Sequence, residues 1–136
     1  MEIAIGGRRE IRTLRRRSAE LKKLIWTGRK SYIVVAKKGA DIAAFAFVFR
    51  RKAESGWEDF INVIEVTGPA DRNQGLGSAL VARVIEAARE NGSRRVRAYF
   101  DGGNAASRAL WRKNGFDLTP EGPGAFAVYH ISQENP

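Results

Sequence analysis

The sequence predicts an α/β fold: one mixed, mostly antiparallel sheet with helices on both of its faces. Three observations predict it. Short β-branched and apolar runs follow one another across turn residues, as antiparallel neighbours do. Two stretches of 3.6-residue apolar period, within residues 11–26 and 76–90, supply helices able to cover such a sheet. The segment from Phe60 to Phe100 reads strand, glycine loop, helix, strand, a crossover that sets two parallel strands side by side.

Taken in order, Glu2 to Ile5 is a short first strand ended by Gly6-Gly7. Ile11, Leu14, Ser18, Leu21, Leu24 and Ile25 mark one face of a helix running to about Trp26, with arginines on its other faces. Tyr32 to Ala36 is a strand, Lys37 to Asp41 a hairpin turn, and Ile42 to Phe49 the returning strand. Phe60 to Thr67 is the next strand, feeding Gly68-Pro69-Ala70-Asp71. Leu76, Leu80, Val84 and Ala88, with Val81 and Ile85 beside them, form the stripe of a helix of about four turns, stopped at Asn91-Gly92. Val96, Ala98 and Phe100 then alternate with Arg95, Arg97 and Tyr99 as a half-buried strand. Asn104 caps a helix from Ala105 to Lys113 that stops at Asn114-Gly115, and Phe116 to Leu118 and Ala125 to Ile131 close the sheet as an antiparallel pair.

A chain of 136 residues is expected to form a single domain over 1–136. No stretch approaches a membrane span, the first residues lack a signal-peptide core, and without cysteine there is no disulfide or thiolate metal site, so a cytoplasmic location is expected. The single histidine, His130, gives no ligand cluster, and no metal is expected. Of the net charge of +9, residues 8–30 carry +8, from ten Lys/Arg against two acids. That asymmetry points to an anionic partner met by the N-terminal element, a solvated helix face being the alternative.

The chemistry concentrates in Arg72-Asn73-Gln74-Gly75-Leu76-Gly77-Ser78, between strand and helix. Unpaired N–H groups and the positive dipole end of the helix, with two glycines and Arg72 beside them, suit a pyrophosphate. A Walker loop needs Gly-Lys-Ser/Thr after its second glycine, and none follows. A dinucleotide fingerprint needs a small residue where Leu80 stands. An ordinary glycine-rich turn stays open as the reading without a ligand.

The remaining pattern, Arg/Gln-x-x-Gly-x-Gly/Ala, resembles the pyrophosphate loop of the GNAT superfamily of acyl-CoA N-acyltransferases. Further on, Asn104, Ser107, Leu110, Trp111, Gly115 and Phe116 are similar to that family's signature Asn-x-x-Ala-x-x-Leu-Tyr-x-x-x-Gly-Phe. The order and spacing of the two motifs agree with the family, as does the element order, except that two N-terminal helices appear as one.

The resemblance implies a GNAT-like sheet with a splayed parallel strand pair, acetyl-CoA as cosubstrate, and transfer of its acetyl group to an amine. It places the pantetheine arm against Val66 and Thr67 and the pyrophosphate on the amides of Asn73, Gln74, Gly75, Leu76, Gly77 and Ser78 with Arg72 alongside. Asn104 and Ser107 would form the opposite wall. Glu65 is the candidate general base, a solvated or salt-bridged glutamate being the alternative, and Glu58 and Asp59 could act through a water chain. Trp111 stands where the family has a tyrosine acid; an indole cannot protonate a thiolate, so water, Tyr99 or Tyr129 would do so. The basic helix implies an acceptor with negative charge: an aminoacyl-tRNA, another nucleic acid or an acidic protein. A homodimer stays open, and a degenerate module that binds CoA or nucleic acid without chemistry is the alternative function.

Overall fold

In the computed structural model, which describes residues 1–19, 30–68 and 75–131, the strands run in the order β1-β2-β3-β4-β5-β7-β6 in one seven-stranded sheet. They are β1 (Glu2–Gly6), β2 (Ser31–Lys38), β3 (Asp41–Ala53), β4 (Gly56–Val66), β5 (Arg95–Asp101), β6 (Asp117–Glu121) and β7 (Gly124–His130). Only β4 and β5 pair in parallel; every other neighbour is antiparallel. Helices α1 (Arg8–Arg15), α2 (Leu76–Glu90) and α3 (Ala105–Lys113) complete the expected element order.

Two apolar clusters sandwich the sheet. On one face Leu80, Val81, Val84 and Ala88 of α2, with Trp111 of α3, pack on Val34, Ala46, Ile61, Val96 and Ala98. On the other, Ile11 and Leu14 of α1 cover Ile33, Val35, Phe45 and Phe47. Full burial of each Val, Leu, Ile or Phe among them is worth about 1.5–3 kcal/mol. The stripes along α2 and α1 therefore decide which faces turn inward.

Both long helices end as their Asn-Gly pairs foretold. Gly92 and Gly115 take φ of 77° and 84°, and Ser93 N–H and Phe116 N–H reach back to the carbonyls of Ala88 and Trp111. These are Schellman closures, and the Phe116 ring lies 5.0 Å from Trp111 across the second of them.

The first helix is shorter than the periodicity suggests. It stops at Arg15, where the N–H groups of Arg17 and Ser18 share the Leu14 carbonyl. Like charges one turn apart at Arg12 and Arg16, and Ser18, disfavour continuing the helix. Leu21, Leu24, Ile25 and Trp26 lie outside the described residues. The strands β3 and β4 run further than expected, extending as a hairpin through Arg50–Ala53 and Gly56–Asp59.

At the start of β4 two successive carboxylates point to opposite faces. Asp59, wholly buried, accepts from Tyr32 Oη at 2.6 Å and Ser93 Oγ at 2.5 Å, with Arg50 Nε at 3.5 Å. Burial, then the charge of Asp59 and its hydrogen bond, push the Tyr32 phenol far above the usual tyrosine range. A group whose pKa is raised by folding stabilises fully below its unfolded pKa, near 10, and that contribution fades as pH rises above it. Stability should therefore fall above pH 10 with a slope that Tyr32→Phe removes. The same variant should cost about 1–3 kcal/mol at neutral pH in urea unfolding, because Asp59 loses a donor. An unchanged midpoint and slope would show that the contact contributes nothing.

Candidate active site

The parallel pairing of β4 with β5 runs only from Glu58↔Arg95 to Ile61↔Ala98, although β4 continues to Val66 and β5 to Asp101. Beyond that level the two strands part. A bulge sits at the same place: Val48 pairs with Ile61 but Phe47 with Val63, leaving Asn62 without a partner. The extra residue reverses side-chain parity. As a result Ile64 and Val66 share a face with Ile61, toward α2, while Val63 and Glu65 face the α1 side with Phe45 and Phe47.

Backbone direction follows from one hydrogen bond. Thr67 N–H donates to the Ala43 carbonyl at 2.8 Å, and its Oγ1 donates to the Ile42 carbonyl at 2.7 Å. Antiparallel ladders alternate, so Glu65 and Val63 also bond toward β3, whereas Ile64 and Val66 turn their N–H and C=O groups into the gap left by β5. Val66 thus turns its backbone into the gap, as does Ile64, overlooked in the sequence, while Thr67 spends its donors on β3.

Two cavities adjoin the gap. One, of about 570 Å³, runs between β4, the first turn of α2 and α3, lined by Glu65, Val66, Gly75, Leu76, Gly77, Ser78 and Lys113 among others. The other, of about 230 Å³, lies between the parted strands and α3, lined by Val63, Ile64, Tyr99, Asn104, Ser107 and Trp111 among others. Among the cofactor-binding candidates, Arg72, Asn73 and Gln74 lie outside the described residues.

Two glycines shape the first turn of α2, each for its own reason. Gly75 is the N-cap in the left-handed region, φ 73°, with no side chain capping the helix; a Cβ there would meet nothing within 4 Å, so backbone conformation is what selects glycine. Gly77 is tight instead: a Cβ would lie 3.3 Å from Leu110 Cδ1 of α3. Ser78 is tied to α3 by Asn114 Nδ2 at 3.1 Å. Lys113 adds a cation to this groove; its position in the last turn of α3 was legible, its proximity to the loop was not.

Asn104 caps α3 by accepting Ser107 N–H at 3.0 Å, and both residues line the smaller cavity. Trp111 lines it as well. The side chain is 3% exposed, yet its indole Nε1–H is buried with no acceptor among the described residues. A buried orphan donor costs about 1–3 kcal/mol, and this one is closed off from the cavity as well as from solvent.

The candidate acid–base groups separate clearly. Glu65 is half-buried, accepts from Ser18 Oγ over 3.4 Å, and belongs to the face away from α2 and α3. Tyr99 shares that face, lines the cleft and donates to the Glu121 carbonyl at 3.1 Å. Its phenol lies so close over Gly124 that no Cβ fits there. Tyr129 packs against Phe116 on the helical face, opposite Val96 and below the gap. Glu58 and Asp59 sit where β4 and β5 are still paired. Asp59 points toward α2 and is saturated with donors, and Glu58 is enclosed by Arg51, Arg95 and Arg97, so neither is placed for a water relay to the cleft. His130 is exposed, 3.9 Å from Asp117.

The described residues thus offer a helix start open to a diphosphate, a cleft with inward-facing backbone and a carboxylate at its mouth. These features fit acetyl-CoA. No helix among the described residues is long and apolar enough to cross a membrane.

Comparison with known proteins leads to the same place. No curated protein matches the chain. Among solved structures, a GNAT-family acetyltransferase from Elizabethkingia anophelis with acetyl-CoA bound superimposes with TM-score 0.73 at 17% identity, over 96% of this chain and 97% of that one. The PaiA N-acetyltransferase from Thermoplasma acidophilum in complex with coenzyme A gives 0.75 at 14%, over 96% and 100%. Ribosomal-protein-alanine N-acetyltransferase from Brucella melitensis gives 0.72 at 20%, also over 96% and 100%. Residues 8–116 match the Acetyltransferase (GNAT) family across both motifs and every element from α1 to α3, and the chain belongs to that family.

Proposed function

We propose that this protein transfers the acetyl group of acetyl-CoA to an amine of an acceptor bearing negative charge. The observation that carries the reading is the parting of β4 from β5 beyond Ile61 and Ala98, beside a helix start with a left-handed glycine cap. Acetyl-CoA supplies an activated thioester; the chain supplies everything else. The first turn of α2, with Lys113, holds the diphosphate, and the inward backbone of Ile64 and Val66 pairs with the pantetheine arm and polarises the thioester carbonyl. Asn104 and Ser107 bound the arm from α3.

The amine approaches from the opposite face, where Glu65 lies. Its nitrogen bonds to the acetyl carbon as the C–S bond breaks, and Glu65 accepts the proton the amine gives up, directly or through water. Trp111 lines the cleft, and its indole has no proton to give to the sulfur. The departing thiolate is protonated by solvent or by Tyr99, which lines the same cleft. An indole at this position also favours the second reading, a domain that holds CoA without turnover.

A thiol-release assay with acetyl-CoA and mixed amines separates the two. Free CoA above the acceptor-free rate is expected, with Glu65→Gln lowering kcat about 10²–10⁴-fold. Tight binding with no release on any amine would support the second reading, and a fully active Glu65→Gln would remove Glu65 as base. Gly75→Val adds no clash but forces a β-branched residue to positive φ. It should raise the acetyl-CoA Kd about tenfold by calorimetry, or ~1.4 kcal/mol; an unchanged Kd would show that the helix start does not hold the diphosphate.

A further inference from the structure

Glu58 opens β4 on the face opposite α2 and α3, with its side chain 3% exposed, and three guanidinium groups converge on it. Arg51 Nε lies at 2.7 Å, Arg95 Nε at 2.6 Å, and Arg97 Nη1 at 3.2 Å from Oε1 and 3.4 Å from Oε2. Burial pushes the Glu58 carboxyl up, but hydrogen bonds from Arg51 and Arg95 and the charge of Arg97 outweigh it and hold the group below the usual carboxylate range. One negative charge therefore organises three positive ones.

The geometry leaves an excess. Arg51 and Arg95 use only Nε on Glu58, so their terminal nitrogens have no acceptor among the described residues, and neither do Nε and Nη2 of Arg97. The guanidinium planes are fixed on both sides: Arg51 stacks 4.5 Å from the Phe60 ring and Arg97 4.4 Å from the Phe126 ring. Arg97 is 19% exposed, Arg95 30% and Arg51 49%, so the forks meet solvent. The other acids on this face lie apart from the triad: Asp117 is two strands from Arg97, beside His130, Asp101 and Glu121 are at the far ends of β5 and β6, and Glu65 is at the far end of β4. Pre-set arginine forks recognise carboxylates and phosphates in two-bond geometry.

We infer that the Arg51–Arg95–Arg97 triad, held by Glu58 as a positioning residue, binds a carboxylate or phosphate carried by a small acceptor amine. This rests on the transferase reading above and replaces a diffuse basic helix with a defined anion site. Tyr99, at the mouth of the cleft, is two residues beyond Arg97 on the same face of β5, about 7 Å along the strand. The acceptor therefore carries its anion several bonds from its amine, and Glu65, further along β4, takes the proton through water rather than directly.

Three amines of one chain length test this: 6-aminohexanoate, 6-aminohexyl phosphate and the neutral 6-aminohexanol. In the thiol-release assay kcat/KM should be at least tenfold higher for an anionic amine than for 6-aminohexanol, and whichever of the first two is faster names the anion. Arg97→Lys keeps a charge on Glu58 but removes the fork, so this preference should fall at least tenfold. Arg95→Lys should do the same if one variant folds poorly. Equal use of all three amines, or an unaltered preference in both folded variants, overturns the proposal. Titration of the wild type with acetate and inorganic phosphate, followed by the arginine Nε–Hε NMR signals, decides it without turnover. Saturable shifts at Arg51, Arg95 and Arg97 support the site and unmoved signals overturn it. Calorimetry with acetyl-CoA, run alongside, reports separately on the transferase reading.

Discussion

Everything at this site depends on where β4 and β5 stop being neighbours. Below Ile61 and Ala98 the two parallel strands are locked together by backbone pairing and by two carboxylates working on opposite faces. Asp59 gathers Tyr32 from β2, Arg50 from β3 and Ser93 from the approach to β5. Glu58 gathers Arg51 from β3 and Arg95 and Arg97 from β5. Above that level neither strand has the other to pair with, and the bulge at Asn62 bends β4 as the gap opens. Buried backbone polar groups left without partners are costly. A gap of this kind persists only because the strands are tied so firmly beneath it and because something extended can enter it.

The helices complete the arrangement from one side only. Gly77 lets α2 approach Leu110 of α3, so the start of one helix and the body of the other become the two walls of a single groove. Gly75, by accepting positive φ, turns the chain into α2 without capping its first N–H groups. The opposite face of the gap carries no such wall from α2 or α3. It presents Glu65, Tyr99 and the arginine cluster instead. On the proposed reading, cosubstrate and acceptor take opposite faces, with the chemistry at the opening between them.

Much of this was legible in the sequence because it rests on local patterns. The strand–helix–strand crossover, the Asn-Gly stops, Asn104 as a cap and the glycine loop each depend on neighbours within a few residues. What escaped notice depends on contacts between distant segments or on register. The bulge at Asn62 leaves no mark in hydropathy. Uninterrupted alternation would put Phe60, Asn62, Ile64 and Val66 on one face, and only the pairing with β3 shows that Ile64 and Val66 join Ile61 instead. Thr67 was expected at the cleft from the family resemblance, and its hydrogen bonds to Ala43 and Ile42 turn it toward β3. Glu58 and Asp59 looked like spare carboxylates for proton transfer, since nothing near them in sequence announces Tyr32, Ser93, Arg95 or Arg97. The break at Arg16–Ser18, after which Ala19 is helical again, leaves no mark in the apolar spacing.

The central claim is that backbone of β4 beyond the bulge receives the thioester arm of acetyl-CoA. Amide hydrogen exchange resolved by residue, with and without acetyl-CoA, tests it most directly. Ile64 and Val66 should slow severalfold on addition of the cosubstrate, while Thr67, already bonded to Ala43, stays as it was. Unchanged exchange at both Ile64 and Val66 under saturating acetyl-CoA would contradict the account.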